Sequence, residues 1–500
     1  MPECFFLVVD IGTESVRAAL IDSLGAIVGI QSRSTDFFSP HPGWAEQRPD
    51  EWWELTIECL KQLMVEHPGI EVVAIGVSAQ MHAVVPIDSR GTLLMDKVPI
   101  WCDKRSTDIC QQYQKELLPK EQIQLTANLI IPSWTGPKMK WIKGNLPQVY
   151  QQTEIFLTAK DYLNFRFTGE KYTDFSEASG SFLFSWKTKQ WDNELIKMFG
   201  IDKLKLPEIL PSNAIIGKLL PDIAAQIGCQ PAIPVICGAG DMLCLLLGGG
   251  MVREGRSCDV TGTAADVSVL SPKPLLTEHL MNLHHAIDGW ISFGILDSGG
   301  GSLKWFREAF YHQEDGRKMS YAQIDDEASD VPAGADGLLF FPYLMGERLL
   351  GSPSARGSFF GLRPHHQRKH FARAVMEGVC FDLKMSLDEI EERYSGTIEE
   401  MSVIGGGARS SLWCQLKANI YQKKVFTLAE SEGGIIGAAL LAFSALNGEP
   451  VDEIAEKWLK VKQVYVPDES RFDEYQKQYK NFRLFHDIFQ QAYLHFGKEN

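Results

Sequence analysis

Two short stretches constrain this fold more than anything else in the chain. Near the start, Phe5 to Asp10 is an apolar run ending on an acid, Gly12 and Thr13 make a turn, and Val16 to Ile21 is a second apolar run. That pattern predicts two strands joined by a tight turn, with a third strand from Ala26 completing a β-meander. Residues 258–270, CDVTGTAADVSVL, again read as strand, Gly-Thr turn, strand. The echo suggests two related halves, a weak internal duplication. A chain of 500 residues exceeds one ordinary core, so at least two domains are expected.

The remaining pattern is mixed α/β. Pro49 to Leu63 has apolar residues at helical spacing, with Asp50 as its cap, and Val72 to Ser78 reads as a buried strand. Pro234 to Ala239 is strand-like and leads into an apolar helix through Leu247. Ser402 to Ile404, Gly405 to Gly407 and Ser411 to Tyr421 form strand, glycine turn and helix; Lys424 to Leu428 is a further strand, and Gly433 and Gly434 open an Ala/Leu-rich helix to Leu446. Glycines cluster between Leu245 and Gly255, which places the domain boundary there: residues 1–247 and 248–500.

Composition narrows the function classes. The net charge of −15 argues against a nucleic-acid partner or an anionic membrane surface. The ten cysteines include no C-x-x-C pair, which argues against a zinc ribbon or a redox dithiol and fits core thiols in a reducing cytosol. The first residues lack the basic start and cleavage site of a signal peptide, and no apolar stretch nears the ~20 residues of a membrane span, so a cytoplasmic location is expected.

Several motifs are able to carry chemistry. Asp10, Gly12, Thr13 and Ser15 form D-x-G-T-x-S in a turn whose backbone N–H groups and hydroxyls can face a phosphate or hydrated Mg²⁺, although an ordinary polar hairpin tip reads the same way. The second Gly-Thr turn, Gly262 and Thr263, suits a nucleotide clamped by two related domains. Glycines 299–301 and 405–407 can let backbone approach an adenosine, or simply pack helix starts. No P-loop and no protein-kinase motif set is present. Asp241, in CGAGD, sits after a strand and a flexible turn at the start of an apolar helix; taken alone it reads as a helix cap. Trp44, in a loop with Glu46 and Gln47, and Gln80 and His82 after a strand are an aromatic, amide and imidazole set suited to a polyhydroxyl ligand. No partner at metal-ligand spacing supports His82 as a zinc ligand.

Together these motifs resemble the FGGY carbohydrate kinases, within the fold group of hexokinase, actin and the Hsp70 ATPase domain. The likeness covers nearly the whole chain: DIGTESV, PGWAEQ, AQMHA, WCDKR, TGPKMKW, CGAGD and DVTGT, then SGGGSLKW, FPYLMGER, RGSFFGL and GGGARSSLW, in family order. It implies two ribonuclease H-like domains with Mg-ATP in the cleft between them and closure on substrate. It also implies Asp241 as the base that also contacts the sugar, Gly12, Thr13, Gly262 and Thr263 at the phosphates, Gly300, Gly406 and Gly407 at the adenosine, and Asp10 holding Mg²⁺ through water. The Gln80, Met81, His82 triplet is similar to xylulokinase-like members, in which the Met and His contact the ketose, and so argues against glycerol. The resemblance makes D-xylulose the expected acceptor, with another ketose, a polyol or a sugar acid as alternatives. An actin/Hsp70-type ATPase without an acceptor is a further alternative, disfavoured by Trp44, Gln80, His82 and Asp241. Two departures bear on the acceptor: the segment after Asp241, MLCLLLGGG, is bulkier than is common, and TGTAAD stands where a serine often follows the Gly-Thr. A homodimer is expected from the resemblance alone.

Overall fold

The computed structural model describes residues 4–311, 318–349 and 354–496. The chain forms two compact units, one of residues 1–252, 282–290 and 432–459, the other of residues 253–281, 291–431 and 460–500.

The first unit opens with the expected meander: β1 (Cys4–Ile11), β2 (Ser15–Asp22) and β3 (Ile27–Ser34). In β1 every residue after Cys4 is buried, as a central strand covered on both faces requires. Helix α1 (Pro49–Glu66) turns Trp52, Ile57, Leu60 and Leu63 inward. It starts two residues earlier than Asp50 would allow as a cap, with Arg48 in the cap position. Pro49 occupies the first helical turn, where its missing N–H costs nothing, and Asp50 sits inside that turn, favourable to the helix dipole. Strand β4 (Glu71–Ala79) runs parallel to β1. Helices α2 (Thr135–Asn145), α3 (Ala159–Thr168) and α4 (Phe175–Ser179) follow, then β5 (Ile215–Lys218) and β6 (Pro234–Ile236). The run expected as one strand to Ala239 is broken: Gly238 takes a φ of +71°, and β7 (Ala239–Gly240) resumes beside β4 before α5 (Asp241–Gly248). Sheet order is β5-β6-β4-β1-β2-β3, with β7 also on β4.

The second unit repeats this plan. Strands β8 (Ser257–Thr261) and β9 (Ala265–Ser271) are the second hairpin, followed by β10 (Trp290–Leu296), α6 (Gly299–Phe310), α7 (Tyr321–Ser329) and the long α8 (Arg368–Arg393). Then come β11 (Glu400–Ile404), α9 (Ser411–Tyr421) and β12 (Lys424–Leu428). Helices α10 (Gly433–Asn447) and α11 (Val451–Trp458) belong to the first unit, and β13 (Val461–Tyr465) and α12 (Phe472–Phe496) to the second. Six strands of the second sheet lie in the order β10-β9-β8-β11-β12-β13. Its centre matches the first sheet: an antiparallel hairpin, β8 with β9, whose first strand pairs in parallel with a strand from later in the chain, β11. Each unit has its own large apolar core.

The division at 247/248 does not foresee the return of residues 432–459. Helix α10 lies directly on α5: a Cβ on Gly437 would stand 1.9 Å from the Cys244 carbonyl oxygen, so small residues there set a close helix contact. Among the described residues no helix is long and apolar enough to cross a membrane.

Candidate active site

In the first unit the ends of β1, β4 and β7 bring acidic residues together. Asp10 is opposite Arg17 in the β1–β2 ladder and opposite Ser78 in the β1–β4 ladder. The Ser78 hydroxyl donates to Asp10 Oδ1 at 2.7 Å, and Arg17 pairs with Asp10 Oδ2. The other Arg17 arm reaches Glu432 Oε2 at 2.5 Å, just before α10, whose Gly434 lies against the Asp10 carboxylate. A helix N-terminus and an arginine thus stabilise the Asp10 charge.

Asp241 is the first residue of α5, and Gly240 holds the cap position, so the capping reading is off by one. Its Oδ1 accepts from the Met242 N–H at 2.7 Å. Burial, and then the negative charge of Asp10, push the Asp241 carboxyl up to about 7, against the pull of that N–H and of Arg17. A carboxyl poised there can accept a proton near neutrality.

The loop before Asp241 is held by buried polar groups. The Cys237 carbonyl accepts from Lys160 Nζ at 3.1 Å and Asn164 Nδ2 at 2.7 Å, both on α3. Gly238 N–H donates to the Ser212 carbonyl at 2.8 Å, and Gly240 N–H to Ser176 Oγ at 3.0 Å. Lys160 is fully buried between Asp161 at 2.6 Å and Asp174 at 3.5 Å, and Asp174 caps α4 through the N–H groups of Ser176 and Glu177.

The sugar-suited residues are tied to the same turns. Gln80 N–H donates to the Ile11 carbonyl at 2.6 Å, and its side-chain amide donates to Gln47 Oε1 at 2.5 Å. Gln47 in turn donates to the Thr13 carbonyl at 2.8 Å, while the Trp101 indole donates to Thr13 Oγ1 at 2.9 Å. Gln80 Oε1 is buried without a hydrogen-bond partner among the described residues. Met81 packs on Gly240, where a Cβ would lie 2.5 Å from Met81 Cγ. His82 adopts a φ of +65°, uncommon for a non-glycine residue, and stands edge-on to Trp134 with its Nδ1 unpartnered. Burial, reinforced by Lys138, holds its imidazole down to about 3, so it is neutral. Trp44 is half-buried, with the Arg105 guanidinium 3.8 Å from its ring centroid. The structure therefore links Gln80 and Met81 to the Gly12 and Asp241 turns; Trp44 joins through Arg105, which pairs with Glu46 beside Gln47.

In the second unit the three glycine clusters converge. Gly300 N–H donates to the Gly262 carbonyl at 2.8 Å and Gly301 N–H to the Thr263 carbonyl at 3.0 Å. A Cβ on Gly300 would stand 2.3 Å from Gly262 O, and one on Gly407 2.7 Å from Thr261 Cβ. Beneath the turn, Lys417 pairs with Asp259 and reaches Thr261 Oγ1 at 2.5 Å, while Tyr421 donates to Asp259 Oδ2 at 2.8 Å. These glycines, with Thr261 to Thr263, Lys304 and Trp413, border a cavity of about 500 Å³, a size that suits a nucleoside.

A cradle that side chains would fill fits the adenosine and phosphates of ATP. Asp10 fits a hydrated cation, since a carboxylate offers about four acceptor sites and Ser78 and Arg17 take two. Sequence reasoning missed the groups that hold these turns: Arg17, Lys160, Asp174 and Lys417. The lone lysine inside the otherwise uncharged helix α9 was the one available signal, because such a charge is kept only when paired; Lys160, beside Asp161 in α3, gave none.

The family models for the FGGY carbohydrate kinases match here, the N-terminal domain over residues 5–248 and the C-terminal domain over residues 260–446. A xylulose kinase of Bacillus subtilis (strain 168) is 31% identical over 497 residues, 97% of this chain and 96% of that enzyme. A gluconokinase of the same organism is 30% identical over 449 residues, 88% of this chain and 87% of that enzyme. The crystal structure of a ligand-bound xylulose kinase from Lactobacillus acidophilus superimposes with a TM-score of 0.92 at 26% identity, covering 99% of this chain and all of that one. With both family models matched in order and the relatives aligned from end to end, this chain belongs to the FGGY family of carbohydrate kinases.

Proposed function

We propose that the protein transfers the γ-phosphate of Mg-ATP to a hydroxyl of a neutral ketose, D-xylulose, with Asp241 accepting the hydroxyl proton. The observation that carries this is Asp241 itself: a carboxyl near pKa 7 on a tightly held loop, against which Met81 of the Gln80, Met81, His82 triplet packs. Bound Mg-ATP supplies the electrophilic phosphorus and the charge that offsets its oxygens. The chain's own residues orient and deprotonate. Gln80 Oε1, buried and unpartnered, offers an acceptor to a sugar hydroxyl; the neutral His82 ring would add one hydrogen-bonding nitrogen, and Trp44 an aromatic face. Asp10 would hold the metal through water, with Gly12, Thr13, Gly262 and Thr263 at the phosphates and Gly300, Gly406 and Gly407 at the adenosine. Residues 1–247 would supply the sugar site and base, and the residues after them most of the nucleotide site.

Gluconokinases among the relatives raise a sugar acid as the competing acceptor. The cations touching the sugar set argue against it. Arg105 is paired with Glu46 at 2.6 Å and Asp103 at 2.8 Å, and Lys138 Nζ donates to three carbonyls, those of His82, Ile100 and Ser133. Neither is open to a carboxylate. ADP release across ketoses, polyols and aldonates tests the assignment: the largest kcat/KM is expected with D-xylulose. A larger value with gluconate overturns the acceptor, and equal release without any acceptor overturns the kinase reading.

Two substitutions separate the half-sites. A Cβ on Gly180 would stand 2.3 Å from the His82 imidazole, so Gly180→Ala should displace that ring and raise KM for the sugar ~5-fold to ~150-fold, as expected for ~1–3 kcal/mol of overpacking. KM for ATP should not change. Gly300→Ala should do the converse, raising KM for ATP by a similar factor, because its Cβ meets backbone that cannot step aside. Steady-state kinetics with each substrate varied in turn reads both.

A further inference from the structure

A cavity of about 380 Å³ in the first unit is lined by none of Trp44, Gln80, Met81, His82 or Asp241. Phe175, Asn213, His284, His285, Asp288 and Asp452 form much of its wall. Its two histidines are its most informative feature. His284 is 3% exposed, and its Nδ1 lies 2.8 Å from the His285 carbonyl oxygen. A carbonyl only accepts, so Nδ1 carries the hydrogen and Nε2 keeps its lone pair. That Nε2 has no hydrogen-bond partner among the described residues, the Asp288 carboxylate standing 4.0 Å away. His285 is 1% exposed and shows the mirror arrangement: Nε2 donates to the Met251 carbonyl at 2.8 Å, leaving Nδ1 as an unpartnered acceptor.

Two buried imidazoles, each locked by a carbonyl into the tautomer that presents a lone pair, ask for two donors from outside. Leaving such acceptors unmet costs ~1–3 kcal/mol each. The charges around the cavity select a neutral molecule. The Lys189 ammonium is already tied to Asp288 at 2.5 Å, and the Asp288 and Asp452 carboxylates disfavour an anion. A cation would meet the Lys189 ammonium on the same wall. The Phe175 ring lies 4.9 Å from the His284 ring, giving an apolar face for C–H groups. We infer that this cavity is a second small-molecule site, taking a neutral polyhydroxylated compound of polyol or monosaccharide size whose hydroxyls donate to His284 Nε2 and His285 Nδ1. Ser212 is on its wall, and the same Ser212 carbonyl accepts the Gly238 N–H of the loop before Asp241.

Occupancy of this cavity is independent of which sugar Asp241 serves, and one experiment distinguishes the two. The full chain is labelled at its histidine rings, and the His82, His284 and His285 signals are assigned by NMR from the three His→Gln variants. Xylitol is then titrated. Saturable movement of the His284 and His285 signals is the expected result, and Ser444→Leu, which puts a larger apolar side chain into the cavity wall, should abolish it while His82 responds as before. Movement of His82 alone would overturn the second site while supporting the sugar set. A linear, unsaturable drift, or a response to inorganic phosphate or ethanolamine in place of xylitol, would also overturn it.

Discussion

Asp241→Asn will lower kcat by ~10²-fold to 10⁴-fold, the range of a positioned general base, and will at the same time make the protein more heat-stable at pH 8. The first effect follows from losing the proposed proton acceptor in a site whose other parts remain. The second follows from the sign of the pKa shift. Burial and Asp10 raise the Asp241 carboxyl from its ordinary range to about 7, so the folded state binds this proton more tightly than the unfolded state. Between roughly pH 4 and pH 7 the folded protein therefore loses stability as pH rises, and above that the ionised carboxylate is a standing cost. Asparagine keeps the acceptor for the Met242 N–H and never ionises. The gain in melting temperature should be largest at pH 8 and vanish near pH 4. In the wild type, kcat should fall below pH 7 with unit slope as the base is protonated. Calorimetric melts and a pH–rate profile check both halves: near-normal turnover sinks the base, and a pH-independent melting difference sinks the electrostatic account.

The two Gly-Thr hairpins were legible because a strand that ends on an acid and a Gly-Thr turn is a purely local pattern, and the structure shows both at the centre of matching sheets. The convergence of Gly262, Gly300 and Gly407 was not local. Those residues are far apart in sequence, and only the parallel pairing of β8 with β11 brings the last of them to the first. Helix α10 was legible as a tightly packing helix, since Gly433 and Gly434 open a run rich in alanine and other small residues. Its membership of the first unit was not, because nothing in a small-residue helix says which partner it packs on. Asp10 and Asp241 were visible as lone acids at strand and helix ends, yet Arg17, which pairs with Asp10, was not visible as its partner. That side chain faces Asp10 across the ladder and reaches Glu432, a residue from the far end of the chain.

Lys160→Met should destabilise the first unit by ~3–5 kcal/mol, the cost of breaking a buried ion pair by removing one partner. Lys160 is fully buried, and its charge is held by Asp161 and Asp174; its pKa lies well above the ordinary range because of those carboxylates despite burial. Without it, two carboxylates remain in a dry site that also contains Glu177, whose own carboxyl burial and Asp161 already push up. The variant can recover by protonating them. Its deficit should therefore shrink as pH falls from 8 to 5, the reverse of ordinary acid destabilisation, because carboxyls with raised folded-state pKa values lose stability as pH rises. Asp161→Asn added to Lys160→Met should restore part of the loss by the same reasoning. The Cys237 carbonyl would keep Asn164 as its one side-chain donor, so the loop bearing Asp241 loosens and kcat should fall more than KM rises. Urea denaturation at pH 5 and pH 8, with kinetics on the folded fraction, reads each part. A loss below ~1 kcal/mol, or one that grows toward acid, would mean that the buried lysine is not what holds this loop.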